Sequence, residues 1–252
     1  MITIDIPVVL DNLKCCSDHT LTRFYVARNP DDSTIFGKPG RTLHIIPHKD
    51  FHDTVDAYMH EHFDILPVVT GMPRTGSRLT MMYVLNAETA QIKGKTYHPC
   101  VFAVNTYDGS SPCVFVHGIW KNERQYSGSP LMCRIKYKAH TPTCTTGVGR
   151  EALTVLTPES AHTAFETILA TLEHRTDVKD FSCEDLFKYL QYGHIMLNKS
   201  QRTALQDLWV KVPRPITSLN MWNAVTHTLN MAAYDPESCL RFGRLFLKVQ
   251  RG

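Results

Sequence analysis

Apolar positions change their period partway along the chain. Over the first part they come in short β-prone runs. TIDIPVVL (3–10), FYVA (24–27), TLHIIP (42–47) and TMMYVLNA (80–87) are broken by Pro, Gly, Asn and Asp, as strands closed off by turns would be. One stretch interrupts them. In HKDFHDTVDAYMHEHF (48–63), Phe51, Val55, Tyr58, Met59 and His62 recur at helical spacing, which predicts an amphipathic helix beginning near Pro47. Residues 79–140 predict a meander, in which RLTMMYVLNAE, HPCVFAVNTYD, SPCVFVHGIWK and PLMCRIKYKAH are separated by turns. The DGSSP join between Tyr107 and Cys113 is the clearest of these, because Asp-Gly tolerates positive φ. TPTCTTGVGR (141–150) reads as a loop.

From Thr157 the period is helical. TPESAHTAFETILATLEHR opens with Thr157 or Ser160 as N-cap and Pro158 near the first helical position, and carries Phe165, Ile168, Leu169 and Leu172 as its apolar stripe. SCEDLFKYLQYG predicts a helix capped by Ser182 and stopped at Gly193. NKSQRTALQDLWVKV follows, ended by Pro213 and Pro215; SLNMWNAVTHTLNMAA is capped by Ser218; PESCLRFGRLFLKVQ is the last helix. A β-rich 1–156 followed by a helical 157–252 predicts an α+β fold with an antiparallel β-rich N-terminal and middle part, organised as a single domain over 1–252. The Pro-Arg-Pro cluster at 213–215 is the best candidate for an internal boundary; there is no internal repeat and no low-complexity linker.

Composition narrows the class. The chain has 252 residues, 43% hydrophobic and 20% charged, ordinary values for a folded protein that exclude a disordered or fibrous one. No apolar run approaches the roughly 20 residues of a membrane-crossing helix. The start, MITIDIPVVLDNLK, lacks a basic segment and a long apolar core, so no secretory signal is expected. Eight cysteines without a CxxC or a disulfide-like spacing predict a reducing, cytosolic compartment.

Charge changes the picture most. Residues 1–70 hold six Lys/Arg against ten Asp/Glu, residues 71–150 ten against three, and residues 151–252 eleven of each. The last fourteen residues carry four cations and no acid. A basic middle and a basic tail in a chain of net charge +3 predict a positive surface for an anionic partner. Within the middle, cations interleave with rings: Lys93, Lys95 and Tyr97; Lys121, Arg124 and Tyr126 beside Trp120; Arg134, Lys136, Tyr137 and Lys138. Strand alternation puts Arg134, Lys136 and Lys138 on one face. Cations that track a backbone and rings that stack on bases suit a single-stranded nucleic acid. In the last helix, Phe242, Leu245, Phe246 and Val249 share one face while Arg241, Arg244, Lys248 and Arg251 share another, so the apolar face docks and the basic face meets phosphate or a partner.

Other constellations carry less. His48 and His52 are four apart, and His60 and His62 flank Glu61, but no HExxH or cysteine pair accompanies them; the lone His98–Cys100 pair is no stronger. No metal and no cofactor are predicted. GMPRTGSR (71–78) resembles a phosphate loop, yet Ser77 stands where the lysine belongs and Arg78 where Ser or Thr does; Arg74 and Arg78 are assigned instead to a basic loop near nucleic acid. No paired carboxylates and no GxSxG are present, and the acid-poor middle lacks the ligands of a two-metal nuclease. The expectation is a non-enzyme.

Residues 41–120 resemble an uncharacterised family of phage and plasmid proteins, in which an extended strand, a helix and a Gly-containing turn precede a run similar to NSYDGSSA. The matching residues here are RTLHIIPHKDFHDTVDAYM, TGSRLTMMYVL and NTYDGSSPC (105–113), with Asn223–Thr226 similar to a late NAVT helix. The chain departs where the family continues into RxxCxNG, having GIWKNERQYSG. The resemblance implies a phage or mobile-element origin, in the bacterial host cytoplasm, among replication, recombination and transcription proteins.

These readings converge on a protein that binds single-stranded DNA, or RNA, as a homo-oligomer, away from membranes, with a phage polymerase or recombination protein as partner. Coating, annealing and presentation of a melted strand all fit. Two rivals remain. An adaptor that inhibits or recruits an enzyme would use Asp50, Asp53, Asp56, Glu61 and Asp64. An enzyme with a dispersed metal site would use His48, His52 and His62.

Overall fold

The computed structural model describes residues 7–14, 21–37, 45–66, 69–71, 76–92, 94–107, 114–122, 128–131, 136–138, 153–173, 181–214, 216–229, 238, 241–243 and 245. It is a mixed α+β structure with antiparallel sheets. Strands β1 (Val9–Lys14), β2 (Leu21–Arg28) and β3 (Ile35–Gly37) form a three-stranded sheet in that order. A second sheet is built from β4 (Val69–Gly71), β5 (Arg78–Val84), β6 (Ala90–Ile92), β7 (Lys95–Thr106), β8 (Val114–Asn122), β9 (Gly128–Leu131) and β10 (Lys136–Lys138). Its order is β10-β8-β7-β5-β4, with β6 paired to β7 and β9 to β8. Helix α1 (His48–His62) interrupts the strands; α2 (Pro158–Glu173), α3 (Cys183–Tyr192), α4 (Lys199–Lys211) and α5 (Ser218–Leu229) follow them. The strand predicted at TLHIIP is not one over Ile45–Pro47, and its remaining residues lie outside the described ones.

The chain divides into two compact units, each made of three segments. The first comprises Met1–Tyr83, Phe102–Val116 and Lys136–Pro158; the second comprises Val84–Val101, His117–Ile135 and Glu159–Gly252. Strands β5, β7 and β8 therefore contribute residues to both. The Pro-Arg-Pro cluster lies inside the second unit.

In the first unit α1 buries Phe51, Val55, Tyr58 and Met59, the stripe its period predicts, while His62 is exposed and packs its ring on Tyr58. Phe51 stacks on Phe115 of β8 at 6.0 Å. Tyr107 joins Ala27 and Phe36 in a small core. Every residue of β5 is buried, so its near-continuous apolar run marks a strand covered on both faces.

In the second unit Ile92, Tyr97 and Ile119 share one core with the helices. Helix α2 contributes Phe165, Ile168, Leu169 and Leu172, and α5 contributes Trp222 and Val225. The helix ends follow local chemistry. Ser182 caps α3 and, with Asp185, closes a capping box; Gly193 ends that helix, where an added Cβ would meet Leu245 Cδ2 at 2.6 Å. Asn198 and Gln201 form the same box on α4. For α5 the cap is Thr217 and not Ser218: Thr217 Oγ1 accepts from the Asn220 N–H at 3.2 Å. Asn198→Ala removes one such cap, and is expected to cost the second unit about 1 kcal/mol. A urea titration followed by tryptophan fluorescence reads this unit alone, because Trp120, Trp209 and Trp222 all belong to it.

Candidate functional site

The structure redistributes the residues assigned to nucleic acid. Tyr97 is 1% exposed. Its ring lies in the core 6.3 Å from that of Trp222, so it is not a stacking platform for a base. Lys121 is 4% exposed, and its ammonium donates to Asn223 Oδ1 at 2.8 Å, with the Trp222 ring 6.0 Å away. Arg78 is 9% exposed, within a strand and not on a basic loop. These three are corrected to interior residues. One physical reason covers them: β5, the inner part of β7 and β8 up to Lys121 are buried at every position, so the alternation of one dry and one wet face does not apply to them.

Lys95 opens β7 and is exposed. Arg241 is half-buried and donates to the His194 carbonyl at 3.4 Å, while Phe242 and Leu245 are buried as the apolar face of the last helix requires. Lys136, Tyr137 and Lys138 form β10, the end strand of the larger sheet. The register sets them opposite Val116, Phe115 and Val114. Arg74, Lys93, Arg124, Tyr126, Arg134, Arg244, Lys248 and Arg251 lie outside the described residues.

The first unit builds a buried polar knot that the sequence reading did not anticipate. His48, at the start of α1, is fully buried. Its Nε2 is 2.9 Å from the Gly76 carbonyl, and its Nδ1 is 3.0 Å from Asn105 Nδ2. Nε2 therefore carries the proton and Nδ1 accepts. Asn105 Nδ2 also donates to the Ile46 carbonyl at 2.8 Å. The Tyr107 hydroxyl accepts from the His48 backbone N–H, and its ring stacks on the imidazole at 3.8 Å and 11°. Gly76 has φ of +67°, a conformation glycine adopts without penalty, and it offers a carbonyl here where a phosphate loop would offer N–H groups. Asn105 and Tyr107 of the NTYDGSS run are thus fixed on a histidine 57 and 59 residues away in the chain. Burial pushes His48 down to about 4, against the opposing pull of the Gly76 carbonyl. The imidazole is neutral and held from both sides.

A second buried histidine lies in the other unit. His117 Nε2 is 3.2 Å from Ser160 Oγ, and burial alone pushes the ring down to about 4. Ser160 is the third residue of α2 and serves this contact in place of the N-cap role it shared with Thr157. Two further histidines on α1 make separate contacts: His52 Nδ1 faces Asp53 at 3.0 Å, and His60 Nδ1 faces the Asp56 carbonyl at 2.9 Å. Among the described residues no three His, Cys, Asp or Glu side chains come together as a metal site would require, and no helix is long and apolar enough to cross a membrane. Of the acids assigned to an adaptor surface, Asp53 is engaged by Lys49 at 2.6 Å as well as by His52.

Set against known protein families, curated proteins and solved structures, the chain gives no match.

Proposed function

We propose that the protein binds single-stranded nucleic acid, as a non-enzymatic phage-encoded protein of the bacterial host cytoplasm that serves replication, recombination or transcription. The observation that carries this reading is the end strand β10. In a 71–150 segment with ten cations and three acids, it sets Lys136 and Lys138 at alternate positions of a strand that ends the sheet order. The outer edge of a sheet carries backbone N–H groups, and phosphate oxygens accept from such groups as they do from lysine. Exposed Lys95 belongs to the same segment, and Tyr126 and Tyr137 are the rings left to stack on bases. Tyr97, Lys121 and Arg78 take no part. The phage origin rests on the NTYDGSS resemblance. Self-association would add avidity along a strand.

Lysine on an end strand also guards against edge-to-edge pairing, and charge reversal separates the two roles. Fluorescence anisotropy with a labelled oligothymidine and its duplex, at roughly 50 and 200 mM salt, is expected to show tighter binding to the single strand and a steep loss with salt. Lys136→Glu with Lys138→Glu is expected to lower the slope of log K against log salt by roughly 1.4, the share of two phosphate contacts on a single strand. Absence of binding to either form at low salt overturns the proposal and leaves the adaptor reading in its place.

A further inference from the structure

Among the phenylalanine, tyrosine and tryptophan side chains whose burial is described, one is exposed: Tyr192, at 81%. It is the last residue of α3. A lone exposed ring is ordinary on a protein surface, but this one has neighbours. Met196, four residues on, is 71% exposed, while Ile195 before it turns inward and is buried. Lys188 stands one helical turn before Tyr192, on the same face of α3, and is exposed as well. Asp185, whose carboxylate feels the Lys188 charge, is engaged by the Ser182 cap: it accepts from the Ser182 N–H at 3.2 Å and from the Ser182 hydroxyl at 2.6 Å.

The turn that carries this patch is fixed by its backbone. The Gly193 N–H donates to the Tyr189 carbonyl at 3.2 Å, the His194 N–H to the Gln191 carbonyl at 2.9 Å and the Ile195 N–H to the Leu190 carbonyl at 2.9 Å. The basic end of the chain is seated against it. Leu245 packs on Gly193, and Arg241 donates to the His194 carbonyl at 3.4 Å; the last fourteen residues hold four cations and no acid. A fixed, solvent-facing ring bordered by cations suits a single strand, because every base has a face that stacks on a ring and the cations draw the phosphates. Met196 adds an adaptable apolar edge to the ring. A duplex keeps its base faces inside its own stack and gains nothing from such a ring.

We propose that Tyr192, with Met196 beside it and Lys188 on the same helix face, is a base-stacking platform for a single-stranded nucleic acid. The platform rests on the strand-binding function proposed above and deepens it, supplying in the second unit an exposed ring where Tyr97 is buried. It shares no residue with β10, so either contact can fail without the other.

Fluorescence anisotropy of the full chain with a labelled oligothymidine tests it. Tyr192→Ala is expected to weaken binding of the single strand about tenfold. The slope of log K against log salt is expected to stay unchanged, because the ring carries no charge. Tyr192→Phe keeps the ring and is expected to bind as the native chain does. The side chain is exposed, so the thermal midpoint is expected to stay unchanged in both variants. Undiminished affinity in Tyr192→Ala overturns the platform and leaves the patch to a protein partner, even where Lys136→Glu with Lys138→Glu weakens the strand. Equal losses in Tyr192→Ala and Tyr192→Phe also overturn it, since the hydroxyl and not the ring would then meet the strand. A loss in Tyr192→Ala alone, with full affinity in the β10 double variant, supports the platform and counts against β10. A native chain that binds neither single strand nor duplex overturns both.

Discussion

Asn105→Asp is expected to destabilise the first unit by about 4 kcal/mol at neutral pH, more than the roughly 2–3 kcal/mol expected for Asn105→Ala. The native amide donates twice from one nitrogen, to the Ile46 carbonyl and to His48 Nδ1. Alanine leaves both acceptors short of that donor in a buried site, at roughly 1–1.5 kcal/mol for each, near the low end for a buried unsatisfied group. Aspartate is nearly isosteric but brings a buried charge whose oxygens face those two acceptors. Its deficit has a distinctive pH dependence. A proton taken up on His48 Nδ1 turns the clash into a charge-assisted hydrogen bond, so the aspartate variant recovers part of its loss as pH falls from 7 towards 5, while the alanine variant does not. Urea titrations followed by far-ultraviolet circular dichroism at several pH values read both. Equal losses for the two variants at every pH would show that Asn105 acts through shape and not through its two bonds.

The elements that were legible from the chain alone are those specified locally. The stripe of α2, the Ser182 cap, the Gly193 stop and the start of α1 after Pro47 each depend on residues within one or two turns. What was not legible depends on partners distant in sequence. The composition breaks at 157, yet Val84–Val101 and His117–Ile135 belong to the same unit as the helices, because Tyr97 and Ile119 complete the core that α2 and α5 leave open. The assignment of Tyr97 and Lys121 to a surface came from reading their segments as half-wet strands. The signal against that reading was present: HPCVFAV and VFVHGIW have no polar residue at every second position, the mark of a strand buried on both faces. The NTYDGSS run stood out as a motif, and its first and third residues serve to hold His48.

Acid is expected to weaken both units, over a window set by the two buried histidines. His48 in the first unit and His117 in the second are each pushed by burial from 6.5 to about 4, and burial lowers His98 in the same direction. Above pH 6.5 each ring is neutral whether the chain is folded or not, and stability is independent of it. Between pH 6.5 and 4 the unfolded chain takes up protons that the folded one refuses, so stability falls as pH falls. Below about 4 the folded rings also protonate and the slope ends. A shift from 6.5 to 4 corresponds to about 3 kcal/mol for each histidine, a large fraction of the stability of an ordinary domain. The acids held low by exposed hydrogen bonds, Asp53 and Asp185 among them, lose their contribution only below the ordinary carboxylate range and do not enter this window. The tryptophans all report on the second unit, so His117→Asn is expected to flatten the dependence of the urea midpoint on pH between 6.5 and 4 when fluorescence is the probe, whatever it costs at pH 8. His48→Gln is expected to flatten the dependence of a probe placed in the first unit. A wild-type midpoint that stays level from pH 7 to pH 4.5 would mean that both rings are solvated enough to charge in place, and the locked imidazole between Gly76 and Asn105 would then be wrong. A steep fall that survives both substitutions would move the acid sensitivity to His98 or to groups outside the described residues.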